Sequence, residues 1–440
     1  MGNLRTLGVR GKNLPTKKAR TVEPSDFSIG GIIGQFERKY DQTFLVNNPT
    51  EFQEIFGFNI NSSYYGSDVV NGFFQNIVGQ DGKLYVKSHV GYDGSAIDAV
   101  VATIQIDDQQ GAPEKILQID AAYEQTLEYG ISGNRTGYTI TNGNRFTTAV
   151  ATASIASATS IVLDSVSGIK IGDIVEIIMT GASGITEYRK VTNVTEATNT
   201  IEWSGGATGA SQIDDVVNVL GFQLKTWRKD INGIVREVDT ELGKVWCTTE
   251  SEVSDFYVEN VFSTSKWIYV TRLTTTPASI EDTFPANVST VSYLASGVDG
   301  TSPTTAAHWS RNLTKLNTLP VRFIANPETS DITIQKAMET YCQGRDDNPK
   351  VIFNIAADQT KSQLITIGNN YQRSDDVLGI IYADRLKITD PFATSTLAPD
   401  RIIPNVGHCM GVIIRTIGEK GIHYIPQKDT PILGINGLDN

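Results

Sequence analysis

Sulfur and imidazole are scarce in this chain: its 440 residues include three cysteines, four methionines and four histidines. Cys247, Cys342 and Cys409 lie far apart, with an odd count and no CxxC, which excludes a disulfide framework and a zinc knuckle and predicts reduced thiols. Long apolar runs are missing too. Nothing approaches the roughly 18 residues a membrane helix requires, and no hydrophobic signal core follows Met1, so a soluble product made in a cytoplasm is expected, without stable membrane insertion. Positive charge is short as well: 37 Lys and Arg face 49 Asp and Glu, for a net charge of -12. A surface that tracks phosphates needs clustered cations, so direct nucleic-acid binding is not expected. Neither GxGxxG nor GxxxxGK(S/T) stands at a strand-helix junction, and GxSxG and HExxH are absent. These gaps leave no catalytic residue, metal ligand or cofactor to assign.

What is present is enough apolar sequence, 40%, to bury a core, in a chain long enough for about two to four domains. The exception to the acidic balance is the first 22 residues, which hold Arg5, Arg10, Lys12, Lys17, Lys18 and Arg20 and no acid before Glu23. Read alone, they suit a transit peptide, a nucleic-acid arm or an extension that docks on acidic protein; the acidic remainder favours docking on a like copy.

Helix punctuation follows in "VNNPTEFQEIFG", with Asn48 as N-cap, Pro49 in the first turn, Phe52, Ile55 and Phe56 on one face and Gly57 as the stop. "SIGGIIGQFE" and "TFLV" before it read as strands. "SDVVNGFFQNIVGQDG" predicts a second helix ending in a glycine turn, and "KLYVKSHV" a strand. From 146 to 220 the texture changes to short β signals between Gly, Ser, Thr and Asn, which predicts an inserted small β-barrel or sandwich. Beyond it, "FQLKTWRKDINGIVREV" alternates about Asn232-Gly233, the favoured pair for a two-residue hairpin turn. Later, "VRFIANP", a helix through Ile334, Ala337, Met338, Tyr341 and Cys342, then "KVIFNI", "KSQLITIG" and "VLGIIYA" alternate strand and helix. That order implies right-handed crossovers and a mostly parallel sheet.

Two features invite a chemical reading. The doublets Asp107-Asp108, Asp214-Asp215, Asp346-Asp347 and Asp375-Asp376 sit in turn-like contexts without a nearby histidine, and are read as solvated loop carboxylates. The stretch "GHCMGVIIRTIGEKGIHYIP" joins His408, Cys409 and His423. As a helix it lines Cys409, Val412, Ile413 and Ile417 on one apolar face, with Arg415 and Lys420 leaving it and Gly421 stopping it before His423. A buried thiol and a helix-terminal histidine are expected, not a metal or catalytic pair.

The order of these motifs resembles the tail sheath proteins of contractile-tailed bacteriophages and related contractile injection systems. The resemblance runs through "GGIIGQFERKYDQTFLVNNPTEFQEIFG", "VVNGFFQNIVGQDGKLYVKSHV", "YGISGNRTGYTI", "FQLKTWRKDINGIVREVDT", "FYVENVFSTSKWIYVTRL", "LASGVDGTSPTTAAHW" and "LKITDP". It is strongest in "IPNVGHCMGVIIRTIGEKGIHYIPQKDTPILGINGL", where Pro404, Gly407, His408, Gly411, Arg415, Gly421 and Pro426 match family positions of structure. It implies an α/β and β mixed, multidomain fold: an extended arm (1–23), an α/β body (24–104 and 291–440), a β-rich middle domain (105–145 and 221–290) and an outward insert (146–220). It also implies a structural, non-enzymatic subunit, without cofactors, that polymerises helically around a tail tube and contracts to drive the tube through a cell envelope. Its partners would be further copies of itself, the tube protein, and baseplate and tail terminator proteins. Its place would be the tail of a virion assembled in a bacterial cytoplasm. The family continues past the point matching "GLDN", so a further C-terminal portion is expected after Asn440. A different class, a β-rich binding or adhesin component of a tail, also suits the insert's short strands.

Overall fold

The computed structural model describes residues 28–57, 64–89, 92–93, 96–181, 184–230, 233–273, 279–300, 305–370, 379–382, 384–392, 400–421, 424, 426 and 430–439. The fold is mixed, with α/β and all-β parts in several sheets. Strands β1 (Ile29–Gly34) and β2 (Thr43–Val46) precede helix α1 (Pro49–Phe56), where the Asn48 side chain accepts the Glu51 N–H at 2.9 Å and Gly57 stops the helix at φ +80°. The cap satisfies one of the first-turn N–H groups, and glycine takes the positive φ without a Cβ clash. Helix α2 (Gly66–Asn76) and strand β3 (Lys83–Ser88) follow, joined through a turn in which Gly79 has φ +80°. After the β-rich centre come α3 (Val258–Phe262), α4 (Ala306–Thr314), α5 (Ile332–Gln343), α6 (Lys361–Asn370) and α7 (Val406–Lys420).

The body is a six-stranded sheet in the order β2, β3, β1, Phe323–Ala325, Lys350–Phe353, Gly379–Ile381. Only the β2–β3 pair is antiparallel; the other four pairs are parallel. Alternate side chains of the central strands feed two cores. Ile32, Phe323, Ala325 and Ile352 pack with Phe52 and Phe56 of α1, Val69, Val70 and Phe73 of α2, and Cys409, Met410, Ile413 and Ile414 of α7. Ile33, Ile324, Val351 and Phe353 point the other way, to Trp309 and Leu313 of α4 and Ile334, Met338 and Cys342 of α5. Covering both faces is what a parallel sheet of β-branched residues requires.

The centre of the chain is antiparallel. Two long strands, Thr136–Thr152 and Val216–Lys229, pair from Val216↔Ala149 to Arg228↔Thr136. With Ser160–Leu163, Thr200–Trp203, Ile185–Thr195 and Ile174–Met179 they close a six-stranded barrel, each neighbour antiparallel. Sequence alternation leaves barrel and sandwich open; the ring of pairings makes it a barrel. Its core holds Val150, Ile161, Val175, Ile177, Val191, Ile201, Trp203, Val217 and Val219. Further along the same two strands, Tyr138, Ile140, Phe222 and Leu224 belong to another core, shared with Thr103–Asp107, Lys115–Tyr123 and Ile268–Arg272.

Asn232 of the expected two-residue hairpin turn lies outside the described residues, and the described residues around it close one position wider than that turn requires. The closing residues are Asp230 and Ile234, linked by Asp230 N–H to Ile234 O at 2.9 Å, and Gly233 N–H donates to Asp230 O at 3.0 Å with Gly233 at φ +84°. Asp230 Oδ1 also accepts the Ile234 N–H at 2.9 Å, so the acid side chain helps fix the wider loop.

Body and middle part meet through charge. Arg135 pairs with Glu37 at 2.8 Å, Arg228 with Glu37 at 3.6 Å, and Lys39 Nζ donates to Tyr123 O at 3.1 Å. The Arg38 guanidinium lies 4.8 Å from the Tyr123 ring centre.

Candidate functional site

Helix α7 carries the His408-Cys409 pair, and its surroundings decide what the pair can do. The helix is buried from Val406 through Thr416, not along one stripe. Gly421 accepts φ +95° and returns its N–H to Ile417 O at 2.8 Å, as the sequence indicated. Burial pushes the Cys409 thiol up to about 12, so at neutral pH it holds its proton and offers no thiolate nucleophile. Burial alone lowers His408 to about 4, and the ring packs where a side chain on Gly72 would otherwise stand. His423 lies outside the described residues. One expectation fails here: Arg415 does not leave the apolar face for solvent but is buried, its Nη2 donating to Pro431 O. The guanidinium thereby ties α7 to the segment that leads toward the last described strand. Pro404 is buried at the helix entrance.

The acidic doublets are also corrected in part. Asp108 is buried and accepts the Gln110 and Glu114 N–H groups, both at 3.1 Å. Asp215 is buried in the barrel. Burial would raise its pKa, but hydrogen bonds from the Gln212 N–H at 2.7 Å and from Thr180 outweigh burial and hold it low. Asp347 pairs with Arg345 at 2.7 Å. One member of each described doublet is thus a structure-fixing group and not a solvated carboxylate; for Asp108 and Asp215, turn N–H groups reach the carboxylate first. Asp375 and Asp376 lie outside the described residues. Among the described residues no cluster of three His, Cys, Asp or Glu side chains could hold a metal ion, and no helix is long and apolar enough to cross a membrane.

Sequence reading missed the polar groups at the carboxyl end of the parallel sheet. Glu328 accepts the Tyr65 N–H at 3.0 Å and the Gln35 N–H at 3.2 Å, so its carboxylate caps the start of α2, which has no cap of its own. The residue is partly exposed, but its carboxyl group is enclosed, and that burial pushes its pKa up to about 7 against the three backbone hydrogen bonds that favour the anion. A carboxyl raised this way holds a proton that the unfolded chain has lost, so this group's own contribution to stability falls as pH rises from about 4.5 to about 7. Glu328→Gln is expected to remove that contribution, so that the urea midpoint of the variant rises more steeply with pH across this window than that of the parent. Beside it Arg401 donates to Asp68 at 2.9 Å and to Tyr64 O at 2.7 Å. Residues 333 apart give no local signal for such a pair.

Outer strands are the remaining candidates for function. The three-stranded sheet runs Arg401–Ile403, Leu386–Ile388, Gly437–Leu438, so that among the described strands Arg401–Ile403 and Gly437–Leu438 are its outer strands. Ile402 and Leu438 are part exposed there. Lys387 anchors the last strand through Asp439 at 3.4 Å and the Asn436 N–H. The cations Arg5, Arg10, Lys12, Lys17, Lys18 and Arg20 lie outside the described residues.

No family model and no curated protein matches the chain. Among solved structures, the chain is similar to a sheath tail protein from Listeria innocua, with a TM-score of 0.43 and 9% identity over 94% of this chain and 63% of that one. The chain thus spans less than two thirds of that protein's length.

Proposed function

We propose that this chain is a structural subunit of a contractile tail sheath. The observation that carries the reading is where its motifs meet. Segments near the start, β1, α1, α2 and β3, and the strongest matching segment near the end, α7, build one core. Motifs scattered along the sequence thereby act as a single structural unit, as they must if their collinear order reflects a shared fold.

The mechanism follows from geometry. A head-to-tail contact between identical subunits that does not close generates a helix. A strand added to a neighbour's open edge keeps subunits tied by main-chain hydrogen bonds while rigid bodies rotate. The outer strand Gly437–Leu438 suits such an addition. In this reading residues 1–23 form the linking arm, its six cations directed to acidic surface on an adjacent copy. Residues 24–104 and 291–440 form the body, 105–145 and 221–290 the middle domain, and 146–220 project outward. The tube, baseplate and terminator proteins are the other partners, and the assembled location is a virion tail.

Deletion of residues 1–20 from the complete protein is expected to abolish extended tubes in negative-stain images. Unchanged tubes of normal length would overturn the linking role.

A further inference from the structure

The two long strands that carry the barrel change register between Val219 and Leu220: Val219 faces Phe146, Leu220 faces Asn144, and Arg145 is the extra residue. A bulge of this kind bends a ribbon locally. The two cores divide at the same place, since Val217 and Val219 pack inside the barrel while Phe222 and Leu224 pack in the middle part. Arg145 fills the bend. Its guanidinium bonds Asp173 of the barrel and lies 3.9 Å from the Phe256 ring of the middle part.

Beside this point the barrel also meets the 250–255 loop, where Gly172 lies against Glu252 and Val253 and exposed charges pair across the contact. Lys170 pairs with Asp255, and Lys190 reaches Glu250 at 2.7 Å and Glu252 at 3.3 Å. Both cations come from the barrel and all three carboxylates from one loop. Most of these groups are a third to a half exposed or more, so salt screens them and each pair is worth little alone. An open cleft of about 330 Å³, lined by Glu187, Tyr188, Arg189 and Thr208 on the barrel and Ser279, Ile280 and Glu281 on the middle part, lies between the two units.

We propose that the barrel is a hinged arm, pivoting at the Arg145 bulge and latched to the 250–255 loop by the Lys170 and Lys190 ion pairs, so that ionic strength sets its angle. The proposal stands independently of the sheath reading. The bend supplies the axis, the screened pairs supply a weak hold, and the cleft supplies room to move.

The test is the distance between spin labels at Thr198→Cys on the barrel and Thr264→Cys on the middle part of the full chain, both exposed positions. The three native thiols are buried. Raising salt from about 0.01 M to about 1 M cuts the Debye length from about 30 Å to about 3 Å. The expected result is a broader distribution shifted to longer distances at high salt, reproduced at low salt by Glu250→Lys with Glu252→Lys and Asp255→Lys. A distribution that is the same at both salt concentrations overturns the latch. The salt series needs only the labelled parent, so the answer does not depend on the triple variant folding.

Discussion

Gly407→Ala is expected to destabilise the protein by about 3 kcal/mol or more, the upper range for overpacking a core. A Cβ at Gly407 would stand 2.0 Å from Val69 O and 2.7 Å from Val69 C. Those are backbone atoms within α2, so no rotamer change relieves the contact and the helices must separate. Gly411, one turn along the same face, meets Phe73 O at 2.6 Å, and Gly72 in return gives its space to the His408 ring. Parting α2 from α7 would also pull Cys409, Met410, Ile413 and Ile414 from the core they share. Gly411→Ala should show a loss in the same direction. Gly368→Ala in α6 is the control: its Cβ meets nothing, and removing a helical glycine is worth about 0.5–1 kcal/mol in favour of the fold. Thermal and urea unfolding of the three variants measure the contrast. A Gly407→Ala protein as stable as its parent would mean that the helices do not pack at this separation.

Acid is expected to weaken the fold below pH 6.5, most steeply below about 4.5. His89 is fully buried with its ring stacked on Trp309, centroids 3.9 Å apart and planes within 5°. Burial lowers its pKa to about 3 with lesser help from the Lys87 and His308 charges, against an upward effect of the Asn312 hydrogen bond, second in size to burial, and a small one from Asp41. His408 is lowered to about 4 by burial alone. A lowered histidine stays neutral when folded while the unfolded chain gains the proton near pH 6.5. Stability therefore rises with pH from about 4 to about 6.5 and is lost as pH falls through that window, on the order of 3 kcal/mol for each ring. Glu328 acts in the opposite sense above about 4.5, so the steepest loss belongs below that value. His89→Phe, which keeps a ring against Trp309, and His408→Gln should each remove a large part of the dependence. The urea midpoint followed from pH 7 to pH 4 reads it directly, and equal slopes in parent and variants would remove both rings from the account.

The sequence made some elements legible because their determinants are local. Asn48, Pro49 and Gly57 specify α1 within ten residues, and Gly421 ends α7 by the same logic. The parallel sheet was legible from strand-helix order. The long strand Thr136–Thr152 was not, since "TITNGNRFTTAV" lacks apolar alternation; its pairing with Val216–Lys229 supplies what its own residues do not. The role of Gly407 was hidden for another reason. A helical-face reading weighs apolar bulk, whereas this contact is made by the lack of a side chain. Charge pairs such as Arg401–Asp68 and Lys87–Asp41 depend on folding to bring distant residues together, and Asp108 and Asp215 turned inward because neighbouring N–H groups captured them.

The place of β1 in its sheet has a cost in time. It lies between β3, a near neighbour in sequence, and Phe323–Ala325. Gln35, just past β1, bonds Glu328, 293 residues further along. At a synthesis rate of about 5–20 residues per second, β1 waits roughly 15 to 60 s on the ribosome with one edge unpaired. During that interval "IGGIIG" is an apolar strand without its neighbour, a form that invites pairing with other chains. Whatever shelters that edge until Phe323–Ala325 is made also guards the chain against pairing with its copies.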